Sequence, residues 1–341
     1  MKSFSPAGMA VKSYYGLGAR TFGNPGGATS GNGSFNGGGG STLVFRHTNL
    51  TALSCNDIAF NGATWIAGGG GGSALEIWRS TDAITWTNVF TADPLTVQSL
   101  LAVAFGAGTW VAWGSDVAGT SQVTFFSLDD GLTWNPGGIL GGDNQQGRGI
   151  AYGNGVFVAN GKFNTFLSGD GQNFSAGSNF PNSSGFGVVA FDGSDFLVAN
   201  NDNSGCPGFS SAAVSSTGDT PFSEQNITGL QFTFSIPTAF GWDTGRTVYV
   251  ATEGDSIASS PTLVPWNGTQ RFLIPAGIIT DFAFGLSQFV APASDGTIIT
   301  SPTGIAWTQS GASGSTGFFA VAFGQGKFVL TAQDGIWTYG P

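Results

Sequence analysis

Charge is scarce in this sequence, and positive charge scarcer still. Only 9% of the 341 residues are charged, with 10 Lys and Arg against 20 Asp and Glu and a formal net charge of −10. A surface of that sign repels phosphate backbones and anionic lipid, so no nucleic-acid or membrane-surface partner is expected. Glu is confined to Glu76, Glu224 and Glu253, and histidine to His47. One imidazole cannot build a histidine-based metal cluster or a Cys-His pair, and His47 reads as a satisfied residue of a closing strand. The two cysteines, Cys55 and Cys206, fall in the first and fourth of the repeats described below. Across a ring their Cα atoms cannot come within about 7 Å, so two free thiols are expected. No apolar stretch follows Met1-Lys2 and no run of about 18 apolar residues occurs, so neither a signal peptide nor membrane insertion is indicated.

Glycine and aromatics are what the chain has in quantity: 57 Gly, 30 Phe and 10 Trp. The aromatics supply the apolar area that a folded β-protein buries. The polar surface is then mostly Ser, Thr, Asn, Gln and backbone, which suits neutral partners such as sugars or other proteins. A short phrase returns along the chain: Ala and an aromatic, a tight Gly/Asn-rich turn, then an aromatic and an aliphatic. Its anchors are Phe60, Phe105, Tyr152, Phe191, Phe240, Phe284 and Phe323, spaced 45, 47, 39, 49, 44 and 39 residues apart. A period of about 40 to 50 residues made of short strand-like runs is a propeller signature. The expectation is an all-β, seven-bladed β-propeller of four-stranded antiparallel blades over residues 42–341.

Within a blade the step from anchor to next aromatic is five residues in six cases, for example Phe60 to Trp65 and Phe323 to Phe328, which fixes hairpin register. Blade 2 predicts strands at Leu101–Phe105, Trp110–Trp113, Val123–Ser127 and from Thr133. Blade 5 departs, with Gly241 to Arg246 as a lengthened turn. The last blade offers only Ala320–Phe323, Lys327–Thr331 and Gly335–Tyr339. Its missing outer strand has a donor in Thr42–Thr48, which would close the ring and remove two sheet edges.

Between third and fourth strands a second motif recurs, complete as Ser127-Leu-Asp129-Asp-Gly131-Leu-Thr133-Trp134. Shortened forms occur as Ser80 to Trp86, Ser168 to Phe174 and Ser301 to Trp307. This resembles the Asp-box, or BNR, repeat of sialidase-like propellers and their many non-catalytic relatives. Physically the box is a self-capped turn: Asp accepts from backbone amides, Gly takes a positive φ, and Trp packs under the blade. Ser127, Asp129, Gly131, Thr133 and Trp134 are therefore structural residues. A catalytic member would need three convergent arginines, a Tyr nucleophile, a Glu to ionise it and an Asp acid. Of the six arginines, Arg20 and Arg46 lie outside the blades' inner strands, and Arg79, Arg148, Arg246 and Arg271 do not obviously converge. Tyr249 and Glu253 are the nearest to a nucleophile and base. The expectation is no enzyme, with no catalytic residues.

Residues 1–41 stand outside the repeat as a Gly-rich arm, with Tyr14, Tyr15, Arg20 and Phe22 as pegs. Such a segment buries too little to order alone, so it packs on its own propeller or, as the favoured reading, between subunits of an assembly. Function on a rigid scaffold sits in irregular loops. The long ones here are Gly68–Ala74, Gly114–Gln122, Asn200–Ser211, Thr91–Ser99 and Gly137–Arg148, all at one end of the blades. Trp113, Asp116, Asp143, Asn144, Asn201 and Asp202 are the residues there suited to a sugar or a docking partner. Asn201-Asp202-Asn203 and Asp143-Asn144 lack the spaced acidic pattern of a calcium loop, so no metal or cofactor is expected. Gly68–Gly72 lacks the Lys-Ser/Thr of a phosphate loop and reads as a flexible run. The function expected is a non-enzymatic component of a large assembly, with other protein subunits as partners. A bacteriophage virion, in tail or capsid-associated position, is the favoured setting. The alternative is a glycan-binding adhesin or lectin, with host carbohydrate as partner.

Overall fold

The computed structural model describes residues 34–36, 42–47, 55–70, 75–93, 97–116, 121–141, 149–161, 164–179, 188–201, 210–219, 223–227, 239–243, 248–253, 256–262, 267, 269–273, 277–309, 315 and 317–340. The described strands fall into small antiparallel sheets, with no helix among the described residues. Sheet 1 holds Cys55–Phe60, Trp65–Gly70, Leu75–Ser80 and Thr87–Ala92. Sheet 2 holds Val97–Gly106, Thr109–Asp116, Ser121–Ser127 and Asn135–Gly141. Sheet 3 holds Ile150–Gly153, Val156–Asn160, Asn164–Ser168 and Ser175–Asn179. Sheet 4 holds Val189–Phe191, Phe196–Asn201, Ser210–Ser215 and Ser223–Ile227. Sheet 5 holds Ala239–Asp243, Val248–Glu253, Ser256–Ser260 and Thr269–Leu273. Sheet 6 holds Ala283–Gly285, Gln288–Pro292, Ile298–Ser301 and Thr308–Gln309.

These six are blades of four consecutive strands, one fewer than the seven such blades expected. The remaining sheet has five strands and joins both ends of the chain, in the order Ser34–Asn36, Thr42–His47, Gly335–Gly340, Lys327–Ala332, Phe318–Gly324. The expected closing strand pairs with the C-terminal one in the register Leu43↔Tyr339 and Phe45↔Trp337. The extra strand, Ser34–Asn36, pairs outside it and lies within residues 1–41, expected to stand outside the repeat as an arm. First strands of successive sheets touch one another in a complete circuit, with Phe318–Gly324 against Cys55–Phe60 as its closing contact.

The five-residue aromatic step explains the hairpins. Phe60↔Trp65, Phe105↔Trp110, Tyr152↔Phe157 and Phe323↔Phe328 are directly opposed pairs, with ring centroids 4.3, 5.0, 4.7 and 4.8 Å apart. Opposed aromatics of this kind pin register. In three of these hairpins the chain turns through two left-handed residues, Ala107-Gly108, Asn154-Gly155 and Gln325-Gly326, the hairpin turn whose twist matches that of the strands; between Phe60 and Trp65 Gly62 alone has a positive φ.

The same anchors also join sheet to sheet. A Cβ on Gly324 would lie 2.3 Å from Phe60 Cδ1, and one on Gly106 2.0 Å from Tyr152 Cγ. Gly153 meets Phe191 and Gly285 meets Phe323 in the same way. These four anchor rings thus lie on the glycine that follows the preceding sheet's anchor, which is why the phrase reads aromatic-Gly at those positions. Second strands such as Trp65-Ile66-Ala67 and Phe328-Val329-Leu330 are buried on both faces, as strands sandwiched between neighbouring sheets must be.

Several loop boundaries differ from expectation because strands run further. Gly68–Gly70, Gly114–Asp116, Asn200, Asn201, Gly137–Gly141 and Gly241–Asp243 all belong to strands. Gly68 is a close approach, not a flexible run: a Cβ there would meet Leu100 Cδ2 at 2.5 Å.

Candidate functional site

Turns joining strands 1 to 2 and 3 to 4 share one end of the ring, here called the turn face, because each four-stranded sheet is a meander and inter-sheet bonds link these turns. The turns between third and fourth strands are capped by side chains. Asp129 Oδ1 accepts from the Ser127 hydroxyl at 2.8 Å and the Thr133 amide at 2.9 Å, and Oδ2 from the Thr133 hydroxyl at 2.6 Å. The Trp134 indole donates to the Gly131 carbonyl at 3.2 Å, with Gly131 at φ 82. Asp82 and Asp170 repeat the arrangement. In the sixth sheet Thr303 does the same work with a neutral hydroxyl. The Thr133 hydroxyl and amide hold Asp129 down at about 2. Burial pushes the Asp82 carboxyl up, but the Thr85 and Ile84 amides and Ser80 outweigh it and hold it at about 2. The Asn173 and Gln172 amides hold Asp170 well below the usual carboxylate range. Carboxylates so committed stay ionised and are unsuited to proton transfer near neutral pH.

Aligned on Ser and the aromatic, the complete box is the longer one, and its added residue is Asp130, at φ 61. Asp130 is a hub between sheets 1 and 2. It accepts from Asn61 at 2.8 Å, Thr64 at 2.5 Å, the Arg79 guanidinium at 2.9 Å and the Trp110 indole at 3.4 Å. Arg79 Nε also donates to the Asp130 carbonyl oxygen at 2.8 Å. Burial raises the Asp130 carboxyl, and the bonds from Thr64, Asn61 and Arg79 outweigh it and lower it. Similar links run from Gln325 to the Thr81 carbonyl and from Asn154 to the Ser216 carbonyl.

Near the inner strands two acids are buried. Asp57 accepts from its neighbour Ile58 at 2.8 Å and, across to sheet 2, from the Val103 amide at 2.7 Å. Asp281 does the same with Phe282 at 2.7 Å and Val321 at 2.9 Å. Each lies three residues before an anchor and binds the amide two residues before the next sheet's anchor. Cys55 is a buried free thiol, pushed up by burial and then by the Asp57 and Glu76 carboxylates.

Of the residues expected to form a loop-borne site, Trp113, Asp116 and Asn201 are described, and each belongs to a strand. Trp113 is fully buried between sheets 2 and 3, its ring 5.5 Å from Phe166 and 5.3 Å from Phe174; it is core, because Thr109–Asp116 continues past it. Asp116 ends that strand and accepts from the Ser121 amide at 3.2 Å, closing the turn. Asn201 is a strand residue paired with Ser210. Asp143, Asn144 and Asp202, the arm residues Tyr14, Tyr15, Arg20 and Phe22, and Cys206 lie outside the described residues. Tyr249 and Glu253 lie on one strand, paired with Ser260 and Ser256. Arg79 is taken by Asp130. Among the described residues no group of three or more His, Cys, Asp or Glu could hold a metal ion. Asp57, Asp281, Asn61 and Asp130 were not singled out by sequence; their fixed offsets from the anchors and the box were the available signal.

No protein-family profile matches the sequence, and no curated protein is similar to it. Solved structures are similar in shape. A GH74 xyloglucanase from Xanthomonas campestris aligns with a TM-score of 0.65 at 14% identity, over 84% of this chain and 52% of that one. YCF48 bound to a D1 peptide aligns at 0.61 and 16%, over 85% and 93%. The WD40 β-propeller domain of Doa1 aligns at 0.61 and 12%, over 84% and 93%. These are propellers of different function, and at such identities what the likeness establishes is the fold: this chain is a β-propeller.

Proposed function

We propose that the chain is a non-enzymatic structural and interaction component of a large assembly, a virion protein of a bacteriophage tail or capsid. In this reading the five-stranded sheet counts as the seventh blade, the capped turns are degenerate Asp-boxes, and the N-terminal arm anchors the ring to neighbouring subunits. The observation that carries the reading is where the carboxylates are spent. Asp82, Asp129 and Asp170 cap turns, Asp130 joins two sheets, and Asp57 and Asp281 hold the next sheet's backbone. A scaffold whose acids are consumed by its own backbone is suited to presenting surfaces, which is also the use YCF48 makes of a propeller when it binds its D1 peptide. The test is to purify particles from producing cells with the full chain and with a chain lacking residues 1–33. The full chain is expected to co-purify and the shortened one to remain in the soluble fraction with its melting transition unchanged. Equal incorporation of both would refute anchoring by the arm.

A second reading, glycan binding on the opposite end of the ring, is favoured by the likeness to the xyloglucanase. It expects a signal on a glycan array that survives loss of the arm.

A further inference from the structure

Six large apolar side chains are strongly exposed among the described residues, and five of them lie on the turn face: Ile84, Leu128, Leu132, Leu286 and Ile305, at 45 to 57% exposure. Their placement follows the repeat. Ile84, Leu132 and Ile305 occupy the same box position, two residues before the aromatic, and Gln172 occupies it in the third sheet. The box needs nothing at that position, since its caps come from Ser, Asp or Thr and backbone, and Gln172 sits in an intact turn. An aliphatic side chain held outward on a rigid, capped turn in three sheets gains nothing from folding. Leu128 stands beside Leu132 in one box, and Leu286 lies in the first turn of the same sheet as Ile305. Together they mark an arc along sheets 6, 1 and 2, with the closing sheet lying between sheets 6 and 1 and carrying none of the five.

Carboxylates outnumber cations around the arc. Asp82, Asp129 and Asp170 are ionised and exposed beside it. The cations at this end among the described residues are already engaged: Arg79 with Asp130, and Lys327 Nζ with the Asp82 carbonyl at 3.1 Å. We propose that the turn face is a docking surface for a cationic amphipathic polypeptide segment, its apolar side chains against Ile84, Leu132 and Ile305 and its Lys or Arg side chains against the box carboxylates. An acidic or purely apolar partner would leave those carboxylates unmatched or desolvated. This surface is at the opposite end from the loops that the sequence singled out, and it does not depend on the virion setting or on the arm.

The test uses the full chain and two synthetic helical peptides, one of Leu and Lys and one of Leu and Glu in the same pattern, titrated by calorimetry at low and high salt. The variant is I84Q/L132Q/I305Q, which places at all three positions the residue type that Gln172 already carries, so the turns are expected to keep their fold, checked by an unchanged melting transition. The Leu/Lys peptide is expected to bind, with affinity falling at least about tenfold in the variant and also falling with salt, while the Leu/Glu peptide does not bind. Equal binding to wild type and variant would reduce the interaction to net charge and overturn the proposal, as would no binding at all. Should sedimentation show that the wild type self-associates and the variant does not, the occupant is a second copy and the cationic segment is wrong. If the triple variant fails to fold, the single L132Q chain gives the same readout, with a smaller loss expected and none refuting the proposal.

Discussion

Substituting Gly324 tests how the ring is joined. Its φ lies outside the left-handed region, so alanine is free of backbone strain there, and the only obstacle is the Phe60 ring. An added Cβ would sit 2.3 Å from Cδ1 and 2.7 Å from Cγ, where ordinary contact begins near 3.4 Å. The ring must retreat by about 1 Å, yet it is held 4.3 Å from the Trp65 ring, which is fully buried. Overpacking of this size costs about 1–3 kcal/mol, and Gly324→Ala is expected to lose that much in denaturant unfolding followed by tryptophan fluorescence. Phe60→Ala in the same chain removes the obstacle, so the alanine at 324 should then cost nearly nothing, a coupling of about 1–3 kcal/mol in the double-mutant cycle. Gly326 is the control. It has φ +73 and open space around the built Cβ, so Gly326→Ala carries only left-handed strain, about 1 kcal/mol, which Phe60→Ala should not relieve. Additivity of Gly324→Ala and Phe60→Ala within about 0.5 kcal/mol would refute the wedge.

Asp57→Ala leaves the Ile58 and Val103 amides unpaired in a buried place and is expected to cost about 2–4 kcal/mol, measured by the same unfolding assay; a loss under about 1 kcal/mol contradicts the inter-sheet role. The box carboxylates are depressed in the fold, so their contribution is complete above the unfolded value near 4 and is lost as pH falls toward about 2. Asp129→Asn should therefore lower the melting temperature at neutral pH and match wild type near pH 2, and a difference independent of pH counts against the capped-turn account. Leu286-Ser287 makes its hairpin turn with two left-handed residues and no glycine, at φ 48 and 60. Ser287→Gly, the residue its counterparts Gly108, Gly155 and Gly326 carry, should stabilise by about 1 kcal/mol, visible as a raised unfolding midpoint.

What could be read from sequence was whatever repeats with constant spacing. The anchor pairs gave hairpin register because a five-residue step leaves room only for a two-residue turn, and Thr42–His47 was legible as the closing strand because the last sheet runs short. The extra strand at Ser34–Asn36 was hidden in Gly-rich sequence that lacks the repeated phrase. Glycine and polar residues at Gly68–Gly70, Trp113–Asp116 and Asn201 carry loop signals in sequence yet lie in strands, and at Gly68 the Leu100 side chain fills the space that a Cβ would need. The joints at Asp57, Asp130 and Asp281 occur in only one or two sheets each, so repetition, the signal that revealed the rest, did not mark them.

The closure itself is tested most directly by amide hydrogen exchange in the full chain. Thr42–His47 and Gly335–Gly340 should exchange together, slowly, and at the rate of Cys55–Phe60, as members of one joined ring. Exchange of Thr42–His47 at the rate of an unpaired chain, with Gly335–Gly340 still protected, would contradict a ring closed by both ends of the protein.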